Sequence, residues 1–83
     1  MEQITLNDGT VLHGHCILTE TALFVYLDNM PIMDGITLFA DAEKTSRIVE
    51  MNHGNEHVYE GYTVLSAVSS EFGNCNLVMK RGE

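Results

Sequence analysis

Two histidines separated by one residue are the arrangement in this sequence that most resembles a chemical site. His13 and His15 flank Gly14, and on an extended strand the side chains at positions i and i+2 point to the same face. Two imidazoles placed in this way are close enough to share a metal ion. Zinc needs three or four ligands, which His53 and His57 would complete if their hairpin folded over this strand.

A simpler interpretation of these four histidines is that they lie at the surface or at an interface. Their spacing matches no recognised zinc motif, and the sequence contains neither a CxxC nor an HExxH pattern. Cys16 cannot join the histidine pair, because successive side chains of a strand point to opposite faces. We therefore expect no metal site and no cofactor.

The nucleophiles and carboxylates do not form a catalytic pattern either. Cys16 and Cys75 would need a base and an oxyanion donor close by to act as nucleophiles, and buried small side chains are the simpler role for both. Capping and solvation explain the acidic residues Asp34, Asp41 and Glu43. Phosphate-binding loops and nucleophile-elbow motifs are missing from the sequence. We expect a protein without enzymatic activity.

A group of tyrosines and glutamates around a central hairpin supplies the candidates for an interaction site. Tyrosine is enriched at interfaces because it packs and hydrogen-bonds at once, although cross-strand packing within the sheet is the simpler role. The glutamates are expected at outward strand or turn positions, or in an acidic patch that meets a basic partner. The candidates are Tyr59, Tyr62, Glu50, Glu56 and Glu60.

Length and charge limit the classes of function. Eighty-three residues form one domain, residues 1–83, and a chain this short buries only about 60% of the surface that its unfolded form exposes. Self-association would bury more apolar surface, so we expect a homo-oligomer. The net charge of −8, from twelve acidic and four basic residues, argues against direct binding to nucleic acid or to anionic membranes.

Targeting signals are not apparent in the sequence. Met1 and the residues after it do not form a basic region followed by an apolar run. The longest apolar-rich stretch, Ala22–Leu27, falls far short of the ~20 residues that cross a bilayer. We expect a cytoplasmic protein whose two cysteines stay reduced.

The first part of the chain reads as three strands. Ile4–Leu6 precedes the turn signal Asp8-Gly9, Val11–Thr19 returns, and Ala22–Asp28 is a third strand rich in β-branched and aromatic residues. In the returning strand one face is small and apolar and is expected to point to the core, which directs His13 and His15 outward. That face carries Leu12, Gly14, Cys16 and Leu18.

A short connection with one helix follows. Met30-Pro31 is expected to break the third strand, because proline removes a backbone donor. Asp34 is a candidate N-cap for a helix over Gly35–Ala40, and Asp41 a candidate cap for a further helical turn. Four apolar residues of this connection would cover one open face of the sheet: Met33, Ile36, Leu38 and Phe39.

The remainder of the chain, from Ser46 onward, is predicted to be a β-meander. Its strands are Ser46–Asn52, Thr63–Ser69 and Cys75–Lys80, with turns at His53-Gly54-Asn55 and Phe72-Gly73-Asn74. Thr63–Ser69 is partly apolar on both faces, which suits a strand with an extra contact outside the domain.

These elements predict an α+β domain that is mostly β. Six antiparallel strands in two three-stranded blocks, in the order β-β-β-α-β-β-β, would form a small barrel or sandwich covered by one short helix.

Three segments resemble a pattern in small, mostly uncharacterised proteins encoded by tailed phages and prophages. They are Leu38–Ile48, Tyr59–Thr63 and the opening Ile4–Thr10, about a third of the chain. The resemblance implies a phage-derived protein, located in the cytoplasm of a bacterial host or in the virion. It implies no activity and assigns no site residues.

Three functions fit these observations. The first is a non-enzymatic phage or prophage protein that acts through protein–protein contacts, as a homo-oligomeric structural or assembly component. The second is an acidic accessory protein that inhibits a host defence nuclease by occupying its basic nucleic-acid-binding surface. The third is an oligomer that binds a small ligand or a metal ion.

Overall fold

The computed structural model of the protein describes residues 2–71 and 73–81. Within these ranges the chain forms seven strands and one helix. In chain order they are β1 (Gln3–Thr5), β2 (Val11–Leu18), β3 (Leu23–Pro31), α1 (Ile32–Phe39), β4 (Arg47–Asn52), β5 (Asn55–Glu60), β6 (Tyr62–Ser69) and β7 (Asn74–Arg81).

The strands form one sheet in the order β5-β4-β1-β2-β3-β7-β6, and every neighbouring pair is antiparallel. The sheet curls into a half-barrel. The predicted α+β class, mostly β with one short helix, is therefore confirmed. The prediction of six strands was wrong because Asn55–Glu60 pairs along its whole length with β4 as a separate strand.

The two predicted three-stranded blocks do not exist as separate units. Strand β4 pairs with β1 and strand β7 pairs with β3, so the second half of the chain flanks the first half on both sides. The predicted meander was also wrong, because the consecutive strands β5 and β6 lie at opposite edges of the sheet. Gly61 makes the corner between them with φ of 80°, a conformation that favours glycine.

The core lies on the concave face of the curled sheet. The predicted pleat of β2 is confirmed for Leu12 and Gly14, which are buried, and for His13, which is exposed. Leu18 was expected in the core but is 54% exposed, at the last position of β2. The fully buried side chains are Ile4, Leu23, Val25, Leu27, Ile48, Cys75, Leu77 and Met79.

The helix begins earlier than predicted. It starts at Ile32 rather than Gly35, and Pro31 takes the N-cap position without a side-chain hydrogen bond, so Asp34 lies in the first turn instead of capping it. Proline fits there because its missing N–H would have no helical acceptor. Gly35 is buried against Cys75 of β7, where a Cβ atom would collide with the thiol sulfur.

Several local predictions hold. Asp41 Oδ1 accepts the backbone N–H groups of Glu43 and Lys44 at 3.0 and 3.3 Å, which confirms its capping role, although the segment is a single turn. Pro31 ends β3, as its missing donor requires, but the strand passes through Met30 with a shift of pairing register after Tyr26.

The second predicted turn, at residues 72–74, closes through the N–H of Gly73, which donates to the Ser70 carbonyl at 2.9 Å. Phe72, which was assigned to the same turn, lies outside the described residues. Among residues 2–71 and 73–81 no helix is long and apolar enough to cross a membrane.

Candidate interaction surface

Strand β6 is the free edge of the sheet on one side. It pairs with β7 alone, so alternate backbone N–H and C=O groups along its other side point away from the sheet. Its eight residues, Tyr62–Ser69, include no charged side chain and no proline. Natural edge strands usually carry charges, proline or a β-bulge that hinders pairing with another chain. Strand β6 has a β-bulge, seen as a register shift between Val64 and Ser66, but neither of the other two.

Exposed apolar side chains concentrate on this edge and on the helix that contacts it. In the described part of the chain, nine large hydrophobic side chains are exposed, and five belong to β6 or α1. Leu65 and Met33 are 66% and 67% exposed, more than any of the other seven. We call this group the β6–α1 surface; it consists of Met33, Ile36, Val64, Leu65 and Val68.

The opposite edge of the sheet is different in character. Strand β5 also pairs on one side only, but Glu56 and Glu60 place two exposed carboxylates within its six residues. Edge charges of this kind disfavour pairing with another strand. The two edges therefore differ: β5 is charged, whereas β6 is neutral and apolar.

The predicted interaction residues Tyr59 and Tyr62 come together where β5 turns into β6. Their rings are 6.3 Å apart in an edge-to-face arrangement, and the Arg81 guanidinium lies 5.8 Å from the centre of the Tyr62 ring. An open cleft of about 500 Å³ adjoins them, and Leu18 and His57 are among the residues that line it. Both tyrosines are half-buried against the core.

Glu50 does not belong to an acidic surface patch. It is only 4% exposed, which overturns the expectation of an outward position. Its Oε2 accepts the backbone N–H of Cys16 at 2.6 Å, and its Oε1 accepts the Tyr59 hydroxyl at 3.4 Å. Among the described residues β1 pairs with residues 11–13 of β2, and this carboxylate supplies the acceptor for the Cys16 N–H beyond them. Only Glu56 and Glu60 of the predicted acidic group are exposed.

Both thiols are poor nucleophiles. Burial, with a smaller contribution from the Glu50 charge, raises the pKa of Cys16 to about 12, and burial raises the pKa of Cys75. Since the thiolate is the reactive form, neither cysteine is activated. Burial and the Glu50 carboxylate also raise the pKa of Tyr59 to about 12.

The four histidines are not brought together. His13 and His15 project from the convex face of β2, where the His15 ring stacks on Tyr26 at 4.9 Å. His57 pairs opposite Glu50 and so points to the concave side, and His53 lies in the turn between β4 and β5. The hairpin does not fold over β2, and in the described part of the chain no group of three or more His, Cys, Asp or Glu side chains could hold a metal ion.

The sequence contained a signal for the β6 edge. The two-faced apolar pattern of Thr63–Ser69 pointed to an outside contact, but the helix residues Met33 and Ile36 were assigned to covering the sheet. Both are instead exposed on α1, whose buried residues are Gly35 and Phe39. Comparison with protein-family models, with curated proteins and with solved structures finds no match to this chain.

Proposed function

We propose that this protein is a non-enzymatic homo-oligomer that acts through protein–protein contacts, as a structural or assembly component encoded by a phage or prophage. The observations that support it are the neutral free edge of β6 and the five exposed apolar side chains on β6 and on the helix that contacts it. The phage origin rests on the resemblance of the three sequence segments.

The charge of the molecule favours contact through this surface. Two copies with a net charge of −8 each repel one another, and the repulsion is smallest where the touching surfaces carry no charge. Covering the five side chains removes apolar surface from water at about 25 cal/mol per Å². Because the core of a chain this short is small, burial between copies adds stabilisation that the core alone does not provide.

Mass in solution tests the proposal. Size exclusion with light scattering over a wide range of protein concentration is expected to give a defined multiple of the 9.2 kDa chain. Leu65→Glu, on the β6–α1 surface, should shift this mass towards that of a single chain. Val11→Glu is the matched control, because Val11 is 53% exposed on another strand and its substitution should leave the mass unchanged. A single-chain mass at every concentration contradicts the proposal.

A second function is favoured by the opposite edge. Glu56 and Glu60 are exposed on β5, where a basic nucleic-acid-binding surface of a host nuclease would find carboxylates in place of phosphates. Glu56→Lys together with Glu60→Lys should then abolish binding to such a nuclease, whereas Glu50→Gln, at a buried position, should not. Binding that survives the double charge reversal rules this function out.

A further inference from the structure

We infer that the protein forms a twofold-symmetric dimer in which β6 pairs antiparallel with β6 of a second copy, so that two half-barrel sheets become one continuous sheet. This inference rests on the proposed function, because it names the partner of the same β6–α1 surface. It adds the geometry: which strand makes the contact, in which direction, and which charges meet.

The first support is the contrast between the two edges. Strand β5 carries carboxylates at two of its six positions, whereas β6 carries none at its eight. A β-bulge between Val64 and Ser66 interrupts this edge, and the uncharged strand on either side of the bulge is a template for pairing with another strand. Backbone hydrogen bonds give such a contact its affinity, and the side chains beside them give it specificity.

The second support identifies the occupant as another copy of this chain. An edge strand that pairs antiparallel with itself makes an isologous contact, in which the same groups on both copies satisfy each other. A strongly basic or acidic partner would gain no electrostatic attraction from an uncharged strand. Exposed side chains flank the edge on the strand and on α1, including Leu65 and Met33, and the second copy offers the same apolar groups in return.

The third support is the charge at the two ends of β6. Arg81 and Lys80 pair with Tyr62 and Thr63 at the beginning of the strand, where these two cations outnumber the carboxylate of Glu60. At the other end, Glu71 is exposed just beyond the strand. Antiparallel pairing brings the beginning of one β6 beside the end of the other, so each Arg81 approaches the Glu71 of the second copy. Parallel pairing would instead place Arg81 beside Arg81 and Glu71 beside Glu71, so that like charges would repel at both ends.

Charge exchange tests this arrangement. Arg81→Glu alone should raise the dimer dissociation constant about tenfold, since two symmetric contacts change from attraction to repulsion. Glu71→Arg alone should act in the same direction. The double variant restores opposite charges and should return the constant to within about threefold of the wild-type value. Lys44→Glu, remote in sequence from this edge, makes the same charge change as a control and should have little effect.

Cysteine cross-linking tests the direction and the axis. Only the residue on a twofold axis faces itself across an antiparallel pair, within the distance that a disulfide can span. Single cysteines at Val64, Leu65, Ser66 and Ala67, oxidised mildly, should give one maximum of cross-linked dimer, near the middle of the strand. Wild-type protein, whose own thiols are buried or half-buried, is the control.

The outcomes separate the two proposals. A wild-type protein with the mass of a single chain overturns both. A defined oligomer whose cysteine scan shows no maximum, or whose double charge variant stays as weak as Arg81→Glu, overturns the β6 pairing and leaves the oligomeric function standing. One cross-linking maximum together with restoration by the double variant supports the antiparallel dimer.

Discussion

The carboxylate of Glu50 occupies a place that the backbone of β1 leaves empty. Strand β1 ends its pairing at residue 13 of β2, and the Cys16 N–H beyond it bonds to Glu50 Oε2 at 2.6 Å. A buried N–H without an acceptor costs about 1–3 kcal/mol. The side chain therefore completes the sheet locally, which explains why a glutamate lies among core positions.

Replacing the Glu50 carboxylate tests whether its hydrogen bond to the Cys16 N–H stabilises the fold. Glu50→Leu removes the acceptor of the half-buried Cys16 N–H, and should lower the free energy of unfolding by roughly 1–3 kcal/mol in urea titration. Glu50→Gln keeps an acceptor oxygen, so its free energy of unfolding should fall by less than that of Glu50→Leu. Glu56→Leu, on the exposed neighbouring strand, is the control for general effects of the substitution. Equal stability of Glu50→Leu and wild type would show that the bond contributes nothing.

Alkaline pH should destabilise the fold through Cys16. Its pKa is raised from an ordinary value of 9.0 to about 12 in the folded protein, so the folded state holds the proton more tightly than the unfolded state. The stabilisation is complete below pH 9 and is lost as the pH rises towards 12. The free energy of unfolding should fall by up to about 1.4 kcal/mol per pH unit from this group.

Urea unfolding at pH 8 and pH 10.5 measures this loss. Cys16→Ala removes the titrating thiol and should show a smaller fall than wild type between the two pH values. Tyr59→Phe should reduce the remaining slope in the same direction, because the pKa of Tyr59 is also raised, to about 12. If Cys16→Ala and wild type lose the same stability over this interval, the thiol does not contribute.

At the scale of elements, α1 lies against β7 because Gly35 has no side chain. A Cβ atom there would meet the Cys75 sulfur and Cβ. Gly35→Ala would gain up to about 1 kcal/mol of helix propensity, but crowding in a packed core costs typically 1–3 kcal/mol. We expect a net loss of stability on urea unfolding, and displacement of the helix from the sheet.

A double variant separates crowding from other effects. Cys75→Ala removes the sulfur and should destabilise on its own by leaving a small cavity. The pair Gly35→Ala and Cys75→Ala should cost less than the sum of the single changes, because each change relieves the other. If the losses of unfolding free energy in the two single variants add up to the loss in the double variant, the helix moves away without contacting residue 75.

Turn chemistry and strand patterns predicted the hairpins but not their assembly. The Asp8-Gly9 turn and the His53-Gly54-Asn55 turn both join paired strands. What local patterns do not contain is which hairpin pairs with which. Pairing of β3 with β7 and of β1 with β4 depends on contacts between residues far apart in sequence, and the short corner at Gly61 resembles an ordinary bulge.

The β6–α1 surface was predictable only in part, because it also depends on which strands pair. Strand alternation placed apolar groups on both faces of Thr63–Ser69, but only the finished topology makes β6 an edge. Glu50 was misplaced because a lone glutamate normally faces water, and its inward position depends on where β1 stops. Tyr59 and Tyr62 meet as neighbours of the Gly61 corner, yet both pack on the core.

At the scale of the whole molecule, charge distinguishes the two functions by the sign of their salt dependence. Copies with a net charge of −8 repel each other over roughly the Debye length, about 10 Å at 0.1 M salt. Added salt screens this repulsion, while the backbone hydrogen bonds and apolar side chains of the proposed β6 contact are insensitive to salt. Because exposed ion pairs contribute little, the weakening by salt of the proposed Arg81–Glu71 contacts should not reverse the trend.

We therefore expect the dimer dissociation constant to fall as salt rises from about 0.01 to 0.1 M, measured by sedimentation velocity at fixed pH. Glu43→Gln with Glu56→Gln brings the net charge from −8 to −6 at exposed positions outside β6 and the residues next to it, so this variant should associate more tightly at low salt and respond less to added salt. Binding of an acidic inhibitor to a basic nuclease has the opposite sign, because salt screens an attraction. Self-association that weakens steadily with salt would therefore place charge, not the neutral edge of β6, at the centre of the contact.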